Sequence, residues 1–329
     1  MNLEPQSQTG SPSNSGSRTV NIAGHTLTPG QTRRIEVPVS RLPTGSWLSI
    51  PLEVVAGVKP GPTVWLSAAI HGDEVAGIEI IRRVLAEIRP DQLSGTLIAA
   101  PIVNVFGFIE QSRYLPDRRD LNRSFPGSKR GSLASRLAHL FMSEVVHRAD
   151  YGIDLHTGSN HRTNLPQIRA NLEHQPTLGI AQAFAAPVMV HADTRDGSLR
   201  QAAASRGVPV VVYEAGEPLR FDEQAIELGH QGVLRVLAHL KMRGKPAGRA
   251  AKPLRVEKTS WVRARRAGIL RLGVGLGDRV REKQRLGTIA DAFGEGPLHV
   301  VAPCSGLVIG HTNNPLVQQG DAVVHLAEA

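Results

Sequence analysis

Apolar runs and helical repeats alternate along most of this chain. Leu52–Val58 and Thr63–Ile70 flank Lys59-Pro60-Gly61-Pro62, a Pro/Gly turn signal, and predict a hairpin. Short strand-like pieces separated by turn residues precede them, from Val20 to Pro51. Apolar positions then recur at helical spacing (Val75, Ile78, Ile81, Leu85, Ile88), which predicts a helix over 74–88. The same reading predicts a buried strand over 96–103, a polar loop over 104–131 and a helix over 133–146. A strand over 151–156, a helix over 177–185, a strand over 188–191 and a helix over 198–206 follow. A strand over 208–213 and a long amphipathic helix over 222–241 complete the series. Strands alternating with helices predict an α/β fold with a doubly wound, mixed but mostly parallel sheet.

The pattern changes at 243–253, a basic Pro/Gly/Ala stretch that reads as a linker after a domain over 20–242. From 254 to 329 helical periodicity is lost and short Gly-punctuated strands take over. Gly277-Asp278-Arg279-Val280 and Gly320-Asp321-Ala322-Val323 repeat one turn, so this segment predicts a small all-β domain of two related halves. It resembles the barrel-sandwich domains of biotinyl and lipoyl carriers. Those carry their cofactor on a lysine between the halves, and Ala290-Asp291-Ala292-Phe293-Gly294 has none. A scaffold or a contact between copies of the chain is the expected role. Residues 1–19, rich in Ser, Gly, Pro and Gln, bury too little apolar surface to offset ordering entropy and are expected to form a disordered tail.

Composition narrows the function classes. The chain has 329 residues, of which 41% are hydrophobic and 20% charged, as in an ordinary globular protein. No signal-like or membrane-spanning apolar run is present, and the single Cys304 excludes an intrachain disulfide, so a cytoplasmic protein without a membrane partner is expected. The net charge is +9. Its excess lies in Arg243–Arg285, which holds 14 Lys/Arg against 3 acids but no nucleic-acid-reading motif; a solvated basic face that attracts small anions is expected, and no nucleic acid.

The candidate chemistry sits at strand ends. His71-Gly72-Asp73-Glu74 closes the run Thr63–Ile70, and Asp154-Leu155-His156-Thr157-Gly158 closes another apolar strand. Open α/β sheets place their sites at such carboxyl edges. Two His and one Glu form a common catalytic zinc set, so His71, Glu74 and His156 are the candidate ligands of one Zn2+ per chain. Alternation puts Asp154 on the side of His156, where it could orient the imidazole. Zinc with three protein ligands leaves a position for water, which needs a base; Glu214, emerging from Val210-Val211-Val212-Tyr213, is the candidate. In the loop 112–127, Asn122-Arg123 lies between Leu121 and Phe125-Pro126-Gly127, an anchored rather than solvated setting. A guanidinium matches a carboxylate in bidentate fashion, so Asn122 and Arg123 form a candidate substrate clamp, with Arg113 and Arg169 as further candidates.

These motifs, taken in order with Asp120-Leu121-Asn122-Arg123-Ser124-Phe125-Pro126-Gly127 and Tyr213-Glu214-Ala215-Gly216, resemble the succinylglutamate desuccinylase/aspartoacylase family, a branch of the zinc carboxypeptidase-like superfamily. The resemblance spans roughly residues 45–240, and a C-terminal β-domain is also typical of the family. It implies zinc on His71, Glu74 and His156, water attack promoted by Glu214, and substrate carboxylate held by Asn122 and Arg123. Arg113 would stabilise the oxyanion, and Asn160, His161, Arg162 and Asn164 would shape the pocket. The expected reaction is removal of an acetyl or succinyl group from an N-acyl amino acid. A metallocarboxypeptidase acting on short peptides shares these groups; a non-catalytic binding protein on the same fold is the alternative of another class.

Overall fold

The computed structural model describes residues 19–244 and 252–328. The expected N-terminal tail (1–19) lies almost wholly outside the described residues, as does most of the expected linker (243–253).

Two short strands, β1 (Val20–Ile22) and β2 (His25–Leu27), pair with each other at the start. The main sheet is then built from β3 (Thr32–Arg41), β4 (Trp47–Ala56), β5 (Lys59–Ala68), β6 (Ser94–Ala100), β7 (Tyr151–His156), β8 (Arg162–Ala170), β9 (Val188–His191) and β10 (Val210–Gly216). Between them run the helices α1 (Ala76–Glu87), α2 (Val105–Ile109), α3 (Leu133–Glu144), α4 (Gln175–Phe184) and α5 (Leu199–Ala204), and α6 (Glu223–His239) follows β10. Across the sheet the order is β3-β4-β6-β5-β7-β10-β8-β9. The centre, β6 to β10, is parallel, and antiparallel pairs flank it on both sides.

Both faces of the parallel centre are covered, which is why its strands read as continuous apolar runs. In β5, Val64, Leu66 and Ala68 pack into a cluster with Ile80 of α1, Phe184 of α4 and Val233 of α6. Trp65 points the other way, into a cluster with Phe141 of α3 and Leu199 of α5. Burying each such large side chain contributes about 1.5–3 kcal/mol relative to leaving it exposed. Pairing register then brings strand ends together: Ala68 of β5 stands beside Leu155 of β7, and His156 of β7 beside Glu214 of β10.

One expectation about the sheet is corrected, and one strand is added to it. The runs around Lys59-Pro60-Gly61-Pro62 do not form a hairpin: β6 lies between β4 and β5, antiparallel to the first and parallel to the second. Pro60 and Pro62 carry no N–H with which to close a two-stranded ladder, and the Gly57 and Val58 N–H groups bond to the Gly95 and Pro90 carbonyls instead. Strand β8 was absent from the pattern because Asn164, Gln167 and Arg169 interrupt its apolar side chains.

The C-terminal segment is all-β, as expected. It comprises β11 (Leu254–Val256), β12 (Thr259–Arg263), β13 (Gly268–Leu272), β14 (Arg279–Val280), β15 (Arg285–Ala290), β16 (Leu298–Val301), β17 (Gly306–Thr312), β18 (Leu316–Val317) and β19 (Ala322–Glu328). A four-stranded sheet, β16-β15-β13-β18, faces the larger sheet across a core that includes Leu270, Leu286, Ile289, Val308, Val323 and Leu326. Cys304 packs against it as a free, half-buried thiol. The duplicated turn is physical: Asp278 Oδ2 accepts from Gly275 N–H, and Asp321 Oδ2 from Gln318 N–H, both at 2.8 Å. This region does more than append a scaffold. β17 pairs antiparallel with β8 and β11 pairs parallel with β9, so the main sheet continues into the C-terminal strands.

Candidate metal centre and active site

His71 and Glu74 lie in the turn that leaves β5, and His156 is the last residue of β7. Gly72 makes that turn possible, because a Cβ there would run into the backbone of Gly107 and Phe108 in α2. All three side chains are buried, and one ligand atom from each falls within 4.8 Å of the others. The two imidazole centroids are 5.1 Å apart. Glu74 spans them, with Oε1 2.7 Å from His71 Nδ1 and Oε2 2.7 Å from His156 Nδ1.

The other ring nitrogen of each histidine meets a carboxylate: His156 Nε2 is 2.8 Å from Asp154 Oδ2, and His71 Nε2 is 3.2 Å from Asp120 Oδ1. Asp154 Oδ1 in turn accepts from Ser67 Oγ at 2.7 Å, and Ser67 from the Trp65 indole N–H at 3.2 Å. A histidine whose far nitrogen is held by a carboxylate presents its near nitrogen in a set orientation, the usual support of a metal-binding imidazole. The donor set and these outer partners fit a divalent ion on Nδ1 of both histidines and the Glu74 carboxylate. Asp120 and Ser67 were not singled out from sequence. Ser67 could have been, as a polar side chain set among Val64, Trp65, Leu66 and Ala68 of an apolar strand.

Arg113 reaches the same cluster. Its Nη1 donates to Glu74 Oε1 at 3.3 Å and its Nη2 to Asp120 Oδ2 at 3.0 Å. Burial pushes the Glu74 carboxyl up, but the two imidazoles together outweigh it and hold the group well below the usual carboxylate range. Burial likewise lowers both histidines, yet Asp154 and Glu74 carry His156 well above its ordinary value, and Glu74 and Asp120 raise His71. Without metal the imidazoles therefore hold protons that a metal must displace. Metal affinity is expected to fall steeply from about pH 8 to about pH 6, as measured by titration calorimetry in buffers of different ionisation enthalpy. Equal affinity at both, without proton release, would contradict this arrangement.

Glu214 is half-buried on β10, directly across from His156. Burial raises its pKa above the ordinary glutamate value, against the lowering charges of His156 and Arg169. Asn164 Nδ2 donates to its Oε2 at 2.9 Å. A carboxyl shifted toward neutrality beside a buried ligand group is suited to taking and returning a proton.

These groups open into a cavity of about 440 Å³. The predicted Asn122, Arg123, Arg113 and Arg169 all line it, together with Arg162 and Asn164. Asn122 Oδ1 accepts from Leu199 N–H at 2.9 Å, which leaves its amide N–H groups for a ligand. Asn160 and His161, expected to shape the pocket, are instead exposed residues with left-handed φ of 52° and 60° in the turn before β8. Sequence reasoning missed Arg195 in the loop after β9, Arg200 in the first turn of α5, and Trp261 and Arg263 from the C-terminal strand β12. The Arg162 guanidinium lies 5.2 Å from the Trp261 ring centroid, and the same indole stacks on buried His325 with centroids 4.4 Å apart.

Arginine predominates in the cavity wall, beside the carboxylates of Glu74, Asp154, Asp193 and Glu214. Among the described residues Arg123, Arg162, Arg169, Arg195, Arg200 and Arg263 have no carboxylate within 4.0 Å, and Arg162 Nε is buried without a partner. Burial and then the neighbouring Arg169 pull Arg200 down to about 10. His325 is pulled down to about 3 by burial and by Arg169 and Arg162.

The mixed α/β fold thus places a His-Glu-His group that could hold a metal ion at the carboxyl edge of its parallel strands, where it opens into a cavity rich in arginine. The chain belongs to the succinylglutamate desuccinylase/aspartoacylase family, whose catalytic-domain model matches residues 60–240. It is 27% identical over 315 residues to an N-alpha-acetyl-L-2,4-diaminobutyric acid deacetylase of Halomonas elongata, covering 89% of this chain and 90% of that one. Its fold is similar to a succinylglutamate desuccinylase/aspartoacylase of Rhodobacter sphaeroides (TM-score 0.80, 29% identity, 91% and 95% of the two chains). It is also similar to the product-bound ectoine utilization protein of Ruegeria pomeroyi (TM-score 0.82, 25% identity, 91% and 95%). No helix among the described residues is long and apolar enough to cross a membrane.

Proposed function

We propose that this chain is a zinc-dependent amidohydrolase that removes an acyl group from an N-acyl amino acid, with one zinc held by His71, Glu74 and His156. The observation that carries the reading is Glu214 standing opposite His156, beside the ligand group and inside a cavity lined by arginines without acid partners. A zinc ion bound there supplies Lewis acidity toward the acyl oxygen and toward water. The protein's own groups do the rest. Asn122 and Arg123 hold the substrate carboxylate and so fix the scissile amide over the ligand group. Asn164 occupies Glu214 Oε2, which leaves Oε1 to take the proton from water and return it to the departing nitrogen. Arg113, anchored by Glu74 and Asp120, keeps further N–H groups for the charge that develops on the acyl oxygen. The products are a carboxylic acid and a free amino acid.

The arginine wall narrows the substrate. Six guanidiniums without carboxylate partners favour a ligand with a second acid group besides the one at Asn122 and Arg123. An N-succinyl or acidic N-acyl amino acid fits this charge better than a substrate with a free amino group, such as that named for the Halomonas relative. Amine release from a panel of N-acetyl and N-succinyl amino acids and short peptides tests the reading. The acidic acyl amino acids are expected to give the highest kcat/KM. Cleavage of peptides alone would move the assignment to a carboxypeptidase, and best turnover of the acyl diaminobutyrate would overturn the charge argument.

A further inference from the structure

The C-terminal domain touches the catalytic base through a single strand. β8 lies between β10, which carries Glu214, and β17 of the C-terminal domain. Asn164 of β8 stands in register with Gly216 of β10 on one side and Gly310 of β17 on the other. Its side chain is buried, and its Nδ2 donates to Glu214 Oε2 at 2.9 Å. The fit against the C-terminal strand is close: a Cβ at Gly310 would stand 2.9 Å from Asn164 Oδ1 and 3.3 Å from the Thr163 carbonyl. A second tie lies next to it. Gln167, which faces Glu214 across the β8–β10 pair, donates through Nε2 to the Ile309 carbonyl at 3.1 Å. Ile309 sits where β17 shifts its register against β19.

We propose that Asn164 is a positioning residue for Glu214, and that the C-terminal domain keeps it in place by presenting glycine at position 310. The inference rests on reading Glu214 as the base of the deacylase. The last torsion of a glutamate side chain is broad and two-fold, so a carboxylate without a fixed donor turns its oxygens freely. A donor on Oε2 holds the carboxylate plane and aims Oε1 at the ligand group. Asn164 is suited to this because its own backbone is paired on both sides, which fixes the amide from which the bond is made. The C-terminal domain thus completes the catalytic geometry from behind β8 as well as walling the cavity through Trp261 and Arg263.

The test combines kinetics with a stability cycle. Asn164→Ala is expected to lower kcat about tenfold to hundredfold, the scale of a misplaced catalytic group, with KM within about threefold of wild type and the metal content unchanged. Asn164→Asp, although of the same shape, is expected to lose more, because it sets an acceptor against the base. Gly310→Ala is expected to shift kcat in the same direction. Thermal midpoints of Asn164→Ala, Glu214→Ala and the double variant are expected to be non-additive, since each single change already removes the shared bond.

A wild-type kcat in Asn164→Ala would overturn the inference. So would a tolerated Asn164→Asp beside a damaged Asn164→Ala, which would mean shape alone, or a raised KM at constant kcat, which would make Asn164 a substrate contact. Additive midpoints overturn it whatever the activity. If the wild type turns over no acyl amino acid, the deacylase reading fails separately, because the midpoints need no substrate.

Discussion

Glu214→Gln is expected to keep the fold and the metal and to lose about 10²–10⁴-fold in kcat, the range that general acid–base groups supply. The substitution preserves the shape of the side chain and removes its capacity to accept a proton. Glu214 makes no hydrogen bond to His71, Glu74 or His156; among the described residues its one bond from a side chain comes from Asn164. The ligand group therefore has no reason to loosen. Elemental analysis of metal beside steady-state kinetics separates the outcomes. Metal lost along with activity would make Glu214 a fourth support of the metal centre instead of the base.

Glu74→Gln is expected to give the opposite pattern, with metal and turnover lost together. Glu74 is buried between two imidazoles and also accepts from Arg113 and from the Thr157 N–H at 3.2 Å. An amide in its place offers one acceptor oxygen where two are used and leaves cationic neighbours without a compensating charge, which is costly in a buried setting. The loss of metal affinity is expected to exceed the roughly tenfold to hundredfold that removing outer partners such as Asp154 costs. Equilibrium dialysis against zinc measures it directly. Retention of zinc at wild-type affinity would remove Glu74 from the ligand set.

The clustering of His71, Glu74 and His156 and the place of Glu214 beside them were legible in sequence for one physical reason. In a parallel sheet covered on both faces, strands are apolar to the end, and a polar residue at that end faces the carboxyl edge, as His156 and Glu214 do. The spacing of His71 and Glu74 added a pair that one turn can bring together. The parts that stayed hidden depend on pairing across long separations. β8 turns Asn164 and Arg169 toward the cavity and buries Gln167 against the Ile309 carbonyl, so these three break the alternation by which a strand is recognised. Trp261 and Arg263 are remote in sequence, and long-range pairing of β17 with β8 and of β11 with β9 brings the C-terminal strands to the main sheet. The hairpin expected around Pro60 and Pro62 failed for the same cause, since its partner strand, β6, follows a whole helix later.

Hydrolysis is proposed to depend on one metal ion held by His71, Glu74 and His156. The most direct measurement strips the protein with a chelator and returns zinc in steps while amine release from its preferred acyl amino acid is followed. Activity is expected to vanish on stripping and to return in proportion to added zinc, levelling at one ion per chain. Full turnover in the metal-free protein would contradict the account.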